Sequence, residues 1–123
     1  MIRSFRDLQV WQKAMNAAMD VFTATKSFPA EEKYSLTDQV RRSPRSVPAN
    51  VSEAWRKRRY PAAFVSKLND AEGEAAETQT HLELALRCKY LDQAIASRLD
   101  SIYNEILAML DNMAANPEQW TRK

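Results

Sequence analysis

Apolar residues return every three or four positions in four separate stretches of this chain, the spacing of one face of an α-helix. The first row is Leu8, Trp11, Met15, Ala18 and Phe22, on a helix expected from about residue 5 to 26. Ser4 followed by Asp7 reads as its N-terminal cap. Phe28-Pro29 ends it, because proline disfavours helical geometry in the residue before it. The second row, Leu36, Val40, Val47, Val51 and Trp55, predicts a helix over about 35–59, capped by Ser35 with Asp38 three residues on. Pro44 and Pro48 fall inside it, and each removes a backbone donor and crowds the preceding turn. The row keeps its phase across both, so the expectation is one helix kinked at proline. Pro61 suits the first turn of a third helix, over about 61–88, with the row Phe64, Leu68, Ala71, Ala75, Thr78, Leu82 and Ala85. Gly73 lies in its middle, where glycine costs roughly 1 kcal/mol relative to alanine. Close approach of a neighbouring helix would account for it. The fourth helix, about 92–114, carries Ile95, Leu99, Ile102, Ile106, Met109 and Met113 and stops at Asn116-Pro117. Glu118 to Lys123 read as a tail whose Trp120 packs back onto the bundle or onto a neighbouring subunit.

Four amphipathic helices with short connections predict an all-α fold: an antiparallel up-down-up-down four-helix bundle, one domain over residues 1–123. Composition agrees. One glycine is too few for the tight turns of an all-β protein, and the commonest residues are helix formers. No apolar run approaches the length of a membrane span, and the N-terminus lacks the apolar middle region of a signal peptide. Cys88 is the only cysteine, so no internal disulfide can form, and it reads as a small half-buried hydrophobe. The expectation is a cytoplasmic chain with no membrane partner.

Charge changes the picture through its distribution. The net formal charge is +2, yet residues 1–60 hold 12 Lys/Arg against 6 Asp/Glu, while residues 61–123 hold 6 against 10. One surface should suit phosphates and another cations or basic partners. Catalytic chemistry is not suggested: there is no Gly-rich phosphate loop and no CxxC pair, and His81 is the sole histidine. Glu74, Glu77 and His81 share a face of the third helix. A carboxylate-bridged metal bundle needs Glu-x-x-His on two helices, whereas here the Glu77–His81 offset is four and no second histidine exists. The expectation is no enzyme, no cofactor and no metal.

The positive signal is a basic cluster on the second helix. Arg41, Arg42 and Arg45 sit in its first half, and Arg56, Lys57, Arg58 and Arg59 close it. Arg41, Arg45, Ser52, Arg56 and Arg59 follow helical spacing, a stripe about 27 Å long at 1.5 Å per residue. Arginine offers phosphate a planar fork of donors, so this stripe points to RNA or DNA held by its backbone. A different reading stays open. Cations favour a helix C-terminus, and the acidic third helix can pair with these arginines within or between subunits, making the chain a protein-interaction scaffold.

Three stretches carry a family likeness: Phe5-Arg6-Asp7-Leu8-Gln9-Val10-Trp11-Gln12-Lys13-Ala14; Phe28-Pro29 with Glu32, Tyr34 and Leu36-Thr37; and Gln39-Val40-Arg41-Arg42 followed by Ser46-Val47-Pro48-Ala49-Asn50-Val51-Ser52-Glu53-Ala54. Over roughly residues 5–113 the chain resembles the bacterial four-helix-bundle proteins encoded within 23S ribosomal RNA intervening sequences. It departs from their usual pattern at Ala54-Trp55, Pro44 and Gly73-Glu74. The resemblance implies a ring-shaped homo-oligomer, a pentamer, and a similarity to accessory proteins of diversity-generating retroelements, which bind nucleic acid and a reverse transcriptase. It makes Arg41, Arg42 and Arg45 the expected nucleic-acid contacts, and gives Pro48, Asn50 and Glu53 a structural or interface role. Val10, Val21, Leu84, Tyr103 and Leu107 lie off the main rows, so burial between subunits is expected of them.

Overall fold

The structure, a computed structural model, describes residues 1–120; the last three residues of the expected tail lie outside the described residues. Four helices carry the fold: α1 (Gln9–Thr25), α2 (Leu36–Arg56), α3 (Pro61–Arg87) and α4 (Gln93–Ala115). They pack as α1–α2, α2–α3, α3–α4 and α1–α4. The cross-helix contacts run in opposite chain directions at every seam. Trp11 meets Ser52 and Thr25 meets Arg41 across α1–α2. Thr78 meets Ser43 and Lys67 meets Glu53 across α2–α3. Glu72 lies near Asp111 and Gln79 meets Asn104 across α3–α4, and Lys13 meets Glu105 and Asp20 meets Arg98 across α1–α4. The result is an up-down-up-down bundle around one apolar core.

α3 places the whole expected row in the core, each residue 2% exposed or less. α2 does the same with Leu36, Val40, Val47, Val51 and Trp55, and runs unbroken through Pro44 and Pro48, whose rings are buried too. α1 differs. Its buried face is Val10, Ala14, Ala17, Val21 and Thr25, about one position out of phase with the expected row. Ala14 and Ala17 are small enough to let neighbouring helices approach closely, so the narrow face turns inward. Leu8, ahead of α1, stays in the core, and the rest of the bulkier row moves to the flank, where Trp11, Ala18 and Phe22 are half-buried and Met15 is 40% exposed. In α4 the buried face takes Ala96, Tyr103 and Leu110 beside Leu99, Ile106 and Met113, while Ile95, Ile102 and Met109 sit half-buried at its edges. Val10, Val21 and Tyr103 are therefore buried within the chain, and Leu107 packs against the same core; of that set only Leu84 is exposed.

The helix ends follow from specific side chains. Ser4 Oγ accepts from the Arg6 amide (3.1 Å), and the Asp7 carboxylate accepts from the Arg3 and Ser4 amides (2.8 and 3.2 Å). This cap serves a short 3-10 turn over Phe5–Asp7, and Leu8 is extended, so α1 begins later than the periodicity predicts. Ser35 does not cap α2 with its side chain. Its hydroxyl turns back and donates to Glu32 (2.6 Å), whose carboxylate also accepts from the Leu36 amide (3.3 Å) and from Tyr90 OH (2.8 Å). The Ser35 and Tyr90 hydrogen bonds hold Glu32 below its ordinary carboxylate pKa, and the same bond, with burial, pushes the Tyr90 phenol up to about 12. α3 ends with Lys89 in the left-handed region (φ 66) and with Tyr90 N–H bonded to Ala85 C=O, a Schellman closure that leaves Cys88 exposed, not half-buried. At Gly73 an added Cβ would meet nothing within 4 Å, so no helix of this chain approaches it closely. Trp120 packs onto the core beyond a 3-10 turn over Pro117–Gln119.

Candidate nucleic-acid interface

The seven basic residues divide into three environments. Arg41 is half-buried in the α1–α2 seam: its Nε donates to Thr25 Oγ1 (2.8 Å), and its guanidinium lies 4.7 Å from the Phe22 ring centroid. Arg58, beyond the end of α2, donates to the Trp55 carbonyl (2.8 Å) and stacks over the Trp55 ring at 4.0 Å. Its charge satisfies the C-terminal carbonyls of α2, where cations are favoured. The remaining five, Arg42, Arg45, Arg56, Lys57 and Arg59, are exposed. Arg42 pairs with Asp38 one turn back and is still 73% exposed. Lys57 acts on the Glu53 carboxylate one turn back, and no ion pair is formed by Arg45, Arg56 or Arg59 among the described residues.

The expected stripe is therefore shorter and rotated. α2 stops at Arg56, Lys57 caps it, and Arg59 lies in the following turn, off the helical spacing. Ser52, which also belongs to that stripe, accepts from Trp11 Nε1 (3.1 Å) and donates to the Pro48 carbonyl, in the α1 seam with Arg41. What faces solvent is the arc opposite Val40, Val47 and Val51. At 3.6 residues per turn, Arg42, Arg45, Ala49 and Arg56 fall within about 60° of one another. Two rings of the outer row of α1 go with the shift: Trp11 takes Ser52 as its partner, and Phe22 takes Arg41.

Pro48, Asn50 and Glu53 all make contacts within the chain. Pro48 is buried. Asn50 Nδ2 donates to the Ser46 carbonyl (2.9 Å) and lines a shallow depression with Asn69, Asp70, Gly73, Glu74 and Glu77. Glu53 pairs with Lys67 on α3 at 2.7 Å, and Lys67 also reaches Asp70 at 3.6 Å. The Lys67 hydrogen bond holds Glu53 below its ordinary pKa and raises Lys67 in return. Lys67 is the partner that sequence pattern does not reveal, because only antiparallel register brings it beside Glu53. No ion pair joins Arg45 or Arg56 to the acids of α3 among the described residues, whereas Arg42 is near enough to Glu74 on α3 to act on its charge.

The polar residues of α3 form no convergent constellation. His81 Nδ1 lies 3.3 Å from Ser43 Oγ in the α2–α3 seam, and Ser43 also accepts from Thr78 Oγ1 (2.9 Å). Burial and the neighbouring Glu77 raise Glu74 above its ordinary pKa. Among the described residues no three His, Cys, Asp or Glu side chains are placed to hold a metal ion. No helix among the described residues is long and apolar enough to cross a membrane.

Comparison with known proteins agrees with this architecture. No curated protein sequence matches the chain significantly. A solved structure, a protein of unknown function from the S23 ribosomal protein family of Bacteroides thetaiotaomicron, superposes with a TM-score of 0.78 at 30% identity, covering 86% of this chain and 95% of that one. The family model described as 23S rRNA-intervening sequence protein matches residues 6–112. By that match over most of its length, the chain belongs to the 23S rRNA-intervening sequence protein family.

Proposed function

We propose that the chain is a non-enzymatic, cytoplasmic nucleic-acid-binding protein that works as a homo-oligomer and grips phosphates with the outer face of α2. The observation that carries this is the set of exposed arginines, Arg45, Arg56 and Arg59, that form no ion pair among the described residues, with exposed Lys57 beside them, on a face otherwise open to solvent. Unpaired arginines clustered on one surface raise the local concentration of polyanions and offer them bidentate donors. The family's description, tied to 23S rRNA, fits an RNA partner. Homo-oligomerisation is supported by α1, whose outer surface shows Met15 and, one turn on, Met19, 40% and 60% exposed. Methionine and aromatic side chains beside arginines are what protein interfaces favour. Five subunits are the number that family likeness implies.

The test replaces Arg42, Arg45 and Arg56 with glutamine, which keeps helix propensity and approximate size. Arg41 is left intact because its bonds to α1 make it part of the fold. The triple variant should keep its circular dichroism and its mass while binding RNA and DNA more weakly. The slope of log affinity against log salt should flatten, by about 0.9 per lost duplex phosphate contact and about 0.7 on single strands. If the arginines instead pair with carboxylates of a neighbouring subunit, the variant dissociates and the salt slope stays at the wild-type value. That result would favour the interaction scaffold.

A further inference from the structure

We infer that the partner of this face is a double-stranded nucleic acid laid across α2, its two backbones meeting two separate cation clusters; this rests on the nucleic-acid reading above. Arg42 and Arg45 form the first cluster, and Arg56, Lys57 and Arg59 the second. Arg45 and Arg56 are eleven positions apart, about 16 Å along the helix at 1.5 Å per residue. A B-form major groove is about 12 Å wide and admits an α-helix. The spacing thus suits two backbones flanking one groove, with the helix spanning the gap.

The middle of the face discriminates between a duplex and a single strand. Ala49 lies there, too short to hold a phosphate, beside Glu53, whose side chain is 54% exposed while bound to Lys67. A single strand running from one cluster to the other would carry its phosphates past that carboxylate. A duplex crossing the helix puts its groove there instead. Ala49 is too short to reach base edges, and contacts to phosphates carry no direct base information. Stacking platforms, on which single-strand binders rely, are scarce. Trp55 is buried under Arg58, and Phe22 is covered by Arg41 (4.7 Å) and Lys26 (5.2 Å). Tyr60, beside the second cluster, is the ring left open there among the described residues.

The experiment measures anisotropy of labelled 20-nucleotide DNA and RNA strands, each alone and annealed to its complement, with the full chain over a salt series. A duplex should bind about tenfold tighter than its component strands, with the steeper salt slope of duplex phosphates. The DNA and RNA arms tell which duplex form fits the span. Arg42→Gln with Arg45→Gln, and separately Arg56→Gln with Lys57→Gln and Arg59→Gln, should each bring duplex affinity down to the single-strand level. Tyr60→Ala should leave duplex binding unchanged. Single strands bound as tightly as duplexes, or duplex binding that survives loss of either cluster, would overturn this inference while leaving nucleic-acid binding intact. Binding to neither strands nor duplexes would overturn both.

Discussion

Glu72 is the side chain whose environment conflicts most with its charge. It sits on the α3–α4 seam with Oε1 buried and without a hydrogen-bond partner among the described residues. Burial, and then the Asp111 carboxylate, push its pKa above the ordinary 4.5. A carboxyl whose pKa is higher in the fold than in the open chain favours the fold in its protonated form. That contribution is fully present below the unfolded value and is lost as pH rises through the folded one. At neutral pH the charged group therefore opposes folding, though only modestly, since it is partly exposed. Glu72→Gln should raise the melting temperature at pH 7 and raise it less at pH 4. An equal shift at both would show that the carboxylate is already relieved by solvent. Glu32 works in the opposite direction: its hydrogen bonds from Ser35 and Tyr90 depress its pKa, so what it adds to the joint between the α1–α2 and α3–α4 connections is present above the unfolded value and lost as pH falls. None of this was legible in the sequence, because Asp111 and Tyr90 reach their partners only through the antiparallel register.

At the scale of the helix, Gly73 gives the cleanest measurement. It lies exposed in the middle of α3, with nothing within 4 Å of where a Cβ would stand. Gly73→Ala should then stabilise the chain by about 1 kcal/mol, the propensity difference alone, read from a denaturant midpoint. A loss of stability or of assembly would mean that a helix from another copy packs against that spot. The rows of α2 and α3 were legible in full because each of those helices has one continuous apolar face, and tertiary packing had only one choice to make. α1 carries two apolar rows, and the sequence favours the bulkier one. Packing chose Val10, Ala14, Ala17 and Val21, since alanines let α1 sit closer to its neighbours, a decision that depends on inter-helix distance and not on periodicity. The candidate site inherits that displacement: Arg45 and Arg56 share the exposed arc of α2, while Arg41, expected on the same stripe, is drawn into the seam by the outer row of α1.

For the whole molecule, the outer surface of α1 carries the case for assembly. Val10, Val21 and Tyr103 are consumed by the chain's own core, so they give no reason for subunits to associate. Met15 and Met19 do, flanked by half-buried Trp11, Ala18 and Phe22 on a helix already amphipathic toward its core. The charge distribution suggests how copies would meet. The α1–α2 half is basic, and exposed carboxylates crowd α3 and α4, so two unlike faces attract each other more than two like ones. Contact between unlike faces is heterologous, and such contacts build rings when their rotation closes. Replacing both Met15 and Met19 with glutamate puts two charges into the apolar strip and leaves the core untouched. Sedimentation should then move from a multiple of 14.1 kDa to the single-chain mass, with helical circular dichroism unchanged. Nucleic-acid affinity should fall with it, because a ring brings several α2 faces to one polyanion and a lone chain brings one. A wild-type chain already at 14.1 kDa in micromolar solution would remove the ring from the proposal and leave the exposed methionines unexplained. A variant that dissociates yet keeps full affinity would show that one α2 face suffices, and that assembly serves some other end than avidity.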